Sequence, residues 1–207
     1  MTARLLIATR SPGKQREIRE ILADVPYEVV FPDDQGLYET PDEAYLENQP
    51  TFEGNARQKA EHFAKRSGLP TAADDSGLEV LFLGGQPGVR SKRFALPAPN
   101  QDEANNQELL RRLLGAPEAR RGATYRCAVA FVPGPLGLPH LFEGRCQGRI
   151  LTEPLGNSGF GYDPLFLSAD LGKSLGEATG AEKHAVSHRG RAFRAFAEWL
   201  AEHPIGG

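Results

Sequence analysis

The feature that most constrains this 207-residue chain is a change of rhythm along its length. Short apolar runs alternate with helix-length amphipathic segments at first, and hairpin-like runs follow one another later. Alternation builds parallel strands through helical crossovers, whereas successive strands joined by turn residues pair directly. The pattern predicts an α/β fold on a mixed sheet.

The alternation can be followed residue by residue. Arg4 to Ala8 reads as a strand, Ser11-Pro12-Gly13 as a turn, and the next segment as a helix with Ile18, Ile21 and Leu22 at helical spacing. Tyr27 to Phe31 is a second strand. Thr51 is placed to cap a helix carrying Phe52, Ala56, Ala60 and Phe63 on one face, ended by Ser67-Gly68. Pro70 to Ala73 then reads as a short strand that delivers Asp74-Asp75-Ser76-Gly77 at its C-terminal end. Asn100 or Asp102 caps a helix whose expected buried stripe is Leu109, Leu110, Leu113 and Leu114. Tyr125 to Val132 and Leu141 to Ile150 are expected to form an antiparallel pair across the Pro- and Gly-rich Pro133 to Pro139. The last helix, from about Arg189 to Ala201, presents Ala192, Phe193, Phe196, Ala197 and Leu200 at helical spacing.

Composition narrows the function classes. Twenty-four basic and 27 acidic side chains give a formal charge of −3, without the basic excess of a nucleic-acid or anionic-membrane binder. No apolar run approaches the roughly 20 residues of a bilayer span. Met1 leads straight into a strand-like Leu5-Leu6-Ile7-Ala8 without a signal-peptide pattern, so a cytoplasmic location is expected. The 23 glycines and 16 prolines are scattered rather than pooled in a linker, which favours a single domain over 1–207. Cys127 and Cys146 form no CxxC and are expected as buried thiols.

Four segments carry chemistry. Asp74-Asp75-Ser76-Gly77 sets two carboxylates and a hydroxyl side by side, and alternation along a strand allows one of the pair into a site. The same string is also ordinary turn chemistry. Residues 33–50 hold Asp33, Asp34, Glu39, Asp42, Glu43 and Glu47 with no Lys or Arg. Most of these suit a solvated surface, but Glu47, just before the Thr51 helix, is a second oxygen donor for Mg2+, which takes one or two carboxylates plus phosphates.

Ser11-Pro12-Gly13-Lys14, between strand and helix, resembles an anion cradle with a lysine, though not a Walker A loop. From Lys183 to Arg194 the chain has only cationic charges, with Ser187-His188-Arg189-Gly190 opening the last helix, which suits a phosphate or a polar base edge. A basic solvated helix face is the alternative. Gly159-Phe160-Gly161-Tyr162-Asp163-Pro164 fails the dinucleotide fingerprint at Pro164. It can stack an aromatic ring on a planar base, or place Phe160 and Tyr162 in the core as a tight turn.

Taken in order, these segments resemble the inosine triphosphate pyrophosphatase family over nearly the whole chain. The match comprises Ala8-Thr9 with Lys14 and Glu17; Thr51-Phe52-Glu53 with Asn55-Ala56 and Lys59-Ala60; and Ala73 to Leu78 with Pro87-Gly88, Ser91 and Arg93. It continues in Gly159 to Phe166 and in Lys183 with Ser187 to Gly190. The resemblance implies an elongated mixed sheet with flanking helices, two lobes around a central cleft, and a homodimer. It further implies hydrolysis of ITP, dITP and XTP to the monophosphate and pyrophosphate with Mg2+. Asp75 falls on the general base and a metal ligand, Glu47 on the second metal ligand. Thr9, Arg10, Ser11, Pro12, Gly13, Lys14 and Ser76 fall on triphosphate contacts, and Phe160, Gly161, Tyr162, Asp163, Lys183, His188 and Arg189 on purine and substrate contacts. Ser11 stands where the family usually has asparagine, beside an unusual Arg10. A Maf-like pyrophosphatase and a non-catalytic nucleotide sensor are the rival readings.

Overall fold

A computed structural model describes residues 2–205 of the chain; Met1, Gly206 and Gly207, which belong to the expected 1–207 domain, lie outside the described residues. Six strands form one sheet: β1 (Arg4–Ile7), β2 (Glu28–Val30), β3 (Thr71–Val80), β4 (Gly122–Val132), β5 (His140–Ile150) and β6 (Phe166–Ser168), in the order β2-β1-β3-β4-β5-β6. β1 runs parallel to β2 and β3, with Leu6 opposite Val30 and Thr71, while β6 runs antiparallel to β5. The sheet is mixed, as the change of rhythm requires. The helices are α1 (Pro12–Ile21), α2 (Phe52–Ser67), α3 (Gln101–Arg112), α4 (Gly180–Val186) and α5 (His188–Glu202).

Local chemistry accounts for the ends of these helices. Pro12 opens α1, where its missing N–H costs nothing and its fixed φ is already helical. The Thr51 hydroxyl accepts from the Gly54 amide and Gly68 takes the left-handed position that ends α2. Asn100, not Asp102, caps α3. α4 begins with a reciprocal box in which Thr179 and Glu182 satisfy each other's backbone amides.

The chain divides into two compact units. One comprises the residues up to Asp75, with Cys127–Gly144 and the segment from Gly190; the other comprises Ser76–Arg126 and Arg145–Arg189. Each has its own core. The first packs Leu5, Ile7, Ile18 and Phe31 with Val129, Phe131, Phe193 and Phe196. The second packs Leu78, Val80, Leu109 and Leu113 with Tyr125, Ile150, Leu165 and Phe166. A buried side chain of this size contributes about 1.5–3 kcal/mol.

Three expectations need correction. Asp74-Asp75-Ser76-Gly77 does not follow a strand; it lies inside β3, which continues to Val80 with every residue but Ser76 and Glu79 buried. A turn forms only if the backbone bends, and here the chain stays extended in a strand that lies between β1 and β4 in the sheet. Leu114 is exposed rather than part of the α3 stripe, because α3 ends at Arg112 and Gly115 turns the chain with φ +76°. The sequence reading also passed over α4 and β6, elements of seven and three residues that are too short to show a period. No helix among the described residues is long and apolar enough to cross a membrane.

Candidate active site

β3 organises the first cluster of site residues, all of which belong to the first unit. Asp74 and Asp75, adjacent on an extended strand, have different partners, as alternation demands. The Lys14 ammonium lies 2.8 Å from Asp74 Oδ2, and the Cys127 thiol lies 3.9 Å from the same oxygen. Asp75 takes a 2.8 Å hydrogen bond from Asn55 Nδ2 and lies 3.6 Å from Lys59 Nζ. Lys59 also donates to Glu47 Oε1 at 3.0 Å. One buried ammonium therefore gathers the carboxylates of Asp75 and Glu47, which stand 28 positions apart in the sequence.

Burial controls the protonation of this cluster. It pushes the Asp75 carboxyl up, and Lys59, Lys14 and the Asn55 hydrogen bond only partly offset that effect. For Lys59, burial alone favours the neutral amine, but Asp75, Glu47 and Asp74 outweigh it and hold the ammonium above its ordinary value. Asp75 thus combines a strained charge with fixed geometry, the condition in which a carboxylate becomes a better proton acceptor.

The turn after β1 is folded on itself: the Ser11 amide donates to Thr9 Oγ1 and Gln15 Nε2 donates to the Thr9 carbonyl. Lys14 is the third residue of α1, as its position after Pro12-Gly13 suggested. Arg10 is engaged within the protein. Its guanidinium is taken up by Glu43, Asp33 and the Leu37 carbonyl.

The second cluster belongs to the second unit. Asp163, buried, accepts from Lys183 Nζ at 2.6 Å and from the Phe160 amide at 2.9 Å. Gly159 is required here twice over: its φ is +77°, and a Cβ would stand 2.1 Å from Asp163 Oδ2. Lys183 lies over the Phe160 ring at 4.7 Å and Arg189 at 5.5 Å, so one half-buried aromatic ring meets two cations. Arg189 also donates to Ser76 Oγ at 2.8 Å. The buried His188 ring stacks on Tyr125, with centroids 4.5 Å apart and planes within 4°.

Tyr162 takes the core option left open by the sequence. Its ring is buried in the second core and its hydroxyl donates to the Ser91 carbonyl. Gly161, with φ +64°, donates its amide to Asp102 and accepts from Asn106 Nδ2. α5 opens on His188 and Arg189, with no carboxylate in its first turn. The Arg189 guanidinium at a helix N-terminus opposes the backbone dipole.

Several residues of the two clusters carry roles that their sequence context does not announce. Lys59 and Asn55 figured only in the family string, although the spacing Asn55, Lys59, Phe63 sets them on one face of α2. Tyr125 has no signal beyond an apolar context, and Asp74 stands out only as one of two adjacent carboxylates. Both carry their role through a partner remote in sequence.

The donor set suits a hard divalent cation. Only carboxylate oxygens converge at Lys59, and Mg2+ completes two such ligands with water and phosphate. Among the described residues, no group of three or more His, Cys, Asp or Glu is arranged to hold a metal without help from a ligand.

The Ham1 family profile matches residues 5–199. The chain is 42% identical over 204 residues to the dITP/XTP pyrophosphatase of Yersinia pseudotuberculosis, covering 96% of this chain and 98% of that one. It is 45% identical over 204 residues to the dITP/XTP pyrophosphatase of Frankia alni, again covering 96% and 98%. Among solved structures, a HAM1 protein from Coxiella burnetii superposes with a TM-score of 0.85 at 33% identity, covering 97% of this chain and 99% of that one. With a profile that spans nearly the whole sequence and relatives above 40% identity along it, the chain belongs to the Ham1 family.

Proposed function

We propose that this chain is a nucleoside triphosphate pyrophosphatase that hydrolyses the non-canonical purine nucleotides ITP, dITP and XTP to monophosphate and pyrophosphate. The observation that carries the reading is the Asp75-Lys59-Glu47 cluster, two carboxylates gathered on one buried ammonium beside a second lysine, Lys14, held by Asp74. The names borne by its relatives point the same way.

Asp75 and Glu47 would hold Mg2+, which when bound neutralises charge on the phosphates. Asp75 accepts the proton of a water whose oxygen forms a bond to the α-phosphorus. The bond from that phosphorus to the bridging oxygen breaks, and pyrophosphate leaves with the electron pair. Lys14, aimed by Asp74, and the Thr9 to Gly13 backbone hold the polyphosphate, and Ser76 contributes a hydroxyl oriented by Arg189.

The second cluster reads the base. The Phe160 ring is assigned to stacking, Lys183 is fixed over that ring by Asp163, and the donors for a purine 6-oxygen are assigned to His188, Arg189 or backbone amides. A 6-amino group sets donor against donor, and a buried donor left unpaired costs about 1–3 kcal/mol, roughly ten- to a hundredfold in discrimination. A single domain, a homodimer and a cytoplasmic location are part of the same proposal and rest on the family resemblance.

Pyrophosphate release from ITP, dITP, XTP, dUTP, m5UTP and the standard triphosphates in excess Mg2+ tests the reading. Turnover confined to the 6-oxo purines is expected. Preference for the pyrimidines moves the chain to the Maf-like class, and binding without release makes it a sensor.

A further inference from the structure

Asp33, Asp34, Glu39 and Asp42 of segment 33–50 are exposed, as expected of a solvated surface, but the segment is tied down at Glu43 and Glu47. It runs along one stripe of α2 in the opposite direction to the helix, and each contact has a fixed register. Arg66 donates to the Tyr38 carbonyl at 2.9 Å, to Thr40 Oγ1 at 3.3 Å and to Glu43 Oε1 at 2.6 Å. Lys59 takes Glu47, and Asn55 Oδ1 accepts from the Gln49 amide at 2.8 Å. Positions 55, 59, 63 and 66 share a helix face, so the segment is laced down with Phe63 in the middle.

One clasp comes from outside α2. Arg10, in the turn after β1, grips Glu43 through Nε at 2.8 Å and Nη2 at 2.9 Å, reaches Asp33 at 2.5 Å, and donates to the Leu37 carbonyl at 2.7 Å. The guanidinium carbons of Arg10 and Arg66 lie 5.8 and 5.7 Å from the Phe63 ring. This is not a surface pair of little value. The Glu43 side chain is 9% exposed, and two guanidiniums meet it at distances typical of charge-assisted bonds. Burial on its own raises the Glu43 pKa, but Arg10 and Arg66 outweigh it and keep the carboxylate charged.

We propose that Arg10 is a positioning residue that clips the acidic segment to the phosphate-binding turn, and so sets where Glu47 stands and how tightly a divalent cation is held. Glu47 lies four residues beyond Glu43, across the single helical turn Pro41–Tyr45, so a fixed Glu43 leaves little freedom at Glu47. The fork matters: a lysine cannot bridge both oxygens of Glu43 while reaching Asp33 and Leu37. The turn that holds the polyphosphate and the segment that holds the cation then move as one piece.

The inference rests on Glu47 as a cation ligand but not on turnover, and its test is chosen accordingly. Hydrogen–deuterium exchange and Mn2+ binding are measured on the full chain without nucleotide, for the wild type, Arg10→Gln, Arg10→Lys and Glu43→Gln. The proposal requires faster exchange in residues 38–47 of both Gln variants with unchanged exchange in β1 and β3, and Mn2+ affinity about tenfold weaker. Arg10→Lys should recover only part of either effect. Unchanged exchange and Mn2+ affinity in Arg10→Gln, with a raised KM for dITP at saturating Mg2+, overturns the proposal and makes Arg10 a direct phosphate contact. If no triphosphate is cleaved by the wild type while the binding and exchange changes appear, the pyrophosphatase reading fails and the clip stands.

Discussion

Each compact unit buries one lysine against an aspartate, and the two pairs are built for opposite purposes. Lys59 is shared: its ammonium serves Asp75 and Glu47 at 3.6 and 3.0 Å, and with Asp74 close by the carboxylates outnumber the cations that face them. Lys183 is committed: it meets Asp163 at 2.6 Å, lies over the Phe160 ring and has Arg189 beside that same ring, so cations outnumber carboxylates. The first arrangement is short of positive charge and invites a divalent cation. The second is rich in donors and invites an oxygen or a π-face. A formal charge of −3 for the whole chain conceals both.

The comparison can be broken at its tightest point first. Lys183→Ala should remove the ammonium that faces the buried Asp163 carboxylate and cost about 3–5 kcal/mol, read by denaturant unfolding. A loss below about 1 kcal/mol would mean that the pair is an open site rather than a closed one. Lys14→Ala should leave Asp74 without its ammonium and raise the KM for dITP about tenfold, with kcat less affected, because ground state and transition state both lose the contact. A fall confined to kcat would assign Lys14 to the chemistry instead.

Asp75 gives a prediction of direction. Burial raises its pKa, so the rate should rise with pH along an acid limb displaced above the ordinary carboxylate range, as the base loses its proton. Lys59→Gln removes a cation that opposes the shift and should move the limb further up. A limb that stays put or moves down would separate Lys59 from Asp75. The smallest effect belongs to the helix that presents Lys183: Thr179→Ala should remove the α4 cap and cost about 1 kcal/mol in the same unfolding measurement.

Periodicity made most of the fold legible. β1, α1, α2, α3 and α5 have the apolar spacing that announces them, α2 and α3 their capping residues as well, and the switch from crossovers to hairpin-like strands announced the mixed sheet. Asp74 to Gly77 misled because turn chemistry is local, whereas the decision to continue β3 to Val80 belongs to the neighbouring strands. The roles of Lys59 and Glu43 were hidden for a related reason. A lysine on a helix and a glutamate in an acidic run look solvated until the fold supplies partners 16 and 33 positions away. Arg10 shows the same limit from the other side: its position in the turn gives no hint of Glu43, which only the course of the acidic segment brings to its fork.

The central claim is a division of labour, with the first cluster carrying the hydrolysis and the second the choice of base. Its most direct test is kcat/KM for dITP and for dATP, measured together in the wild type, Asp75→Asn and His188→Ala. The account predicts that Asp75→Asn lowers both by the same factor, about 10²–10⁴ for a lost general base, and leaves their ratio unchanged, whereas His188→Ala narrows the ratio. A ratio that changes in Asp75→Asn, or that His188→Ala leaves intact, would contradict it.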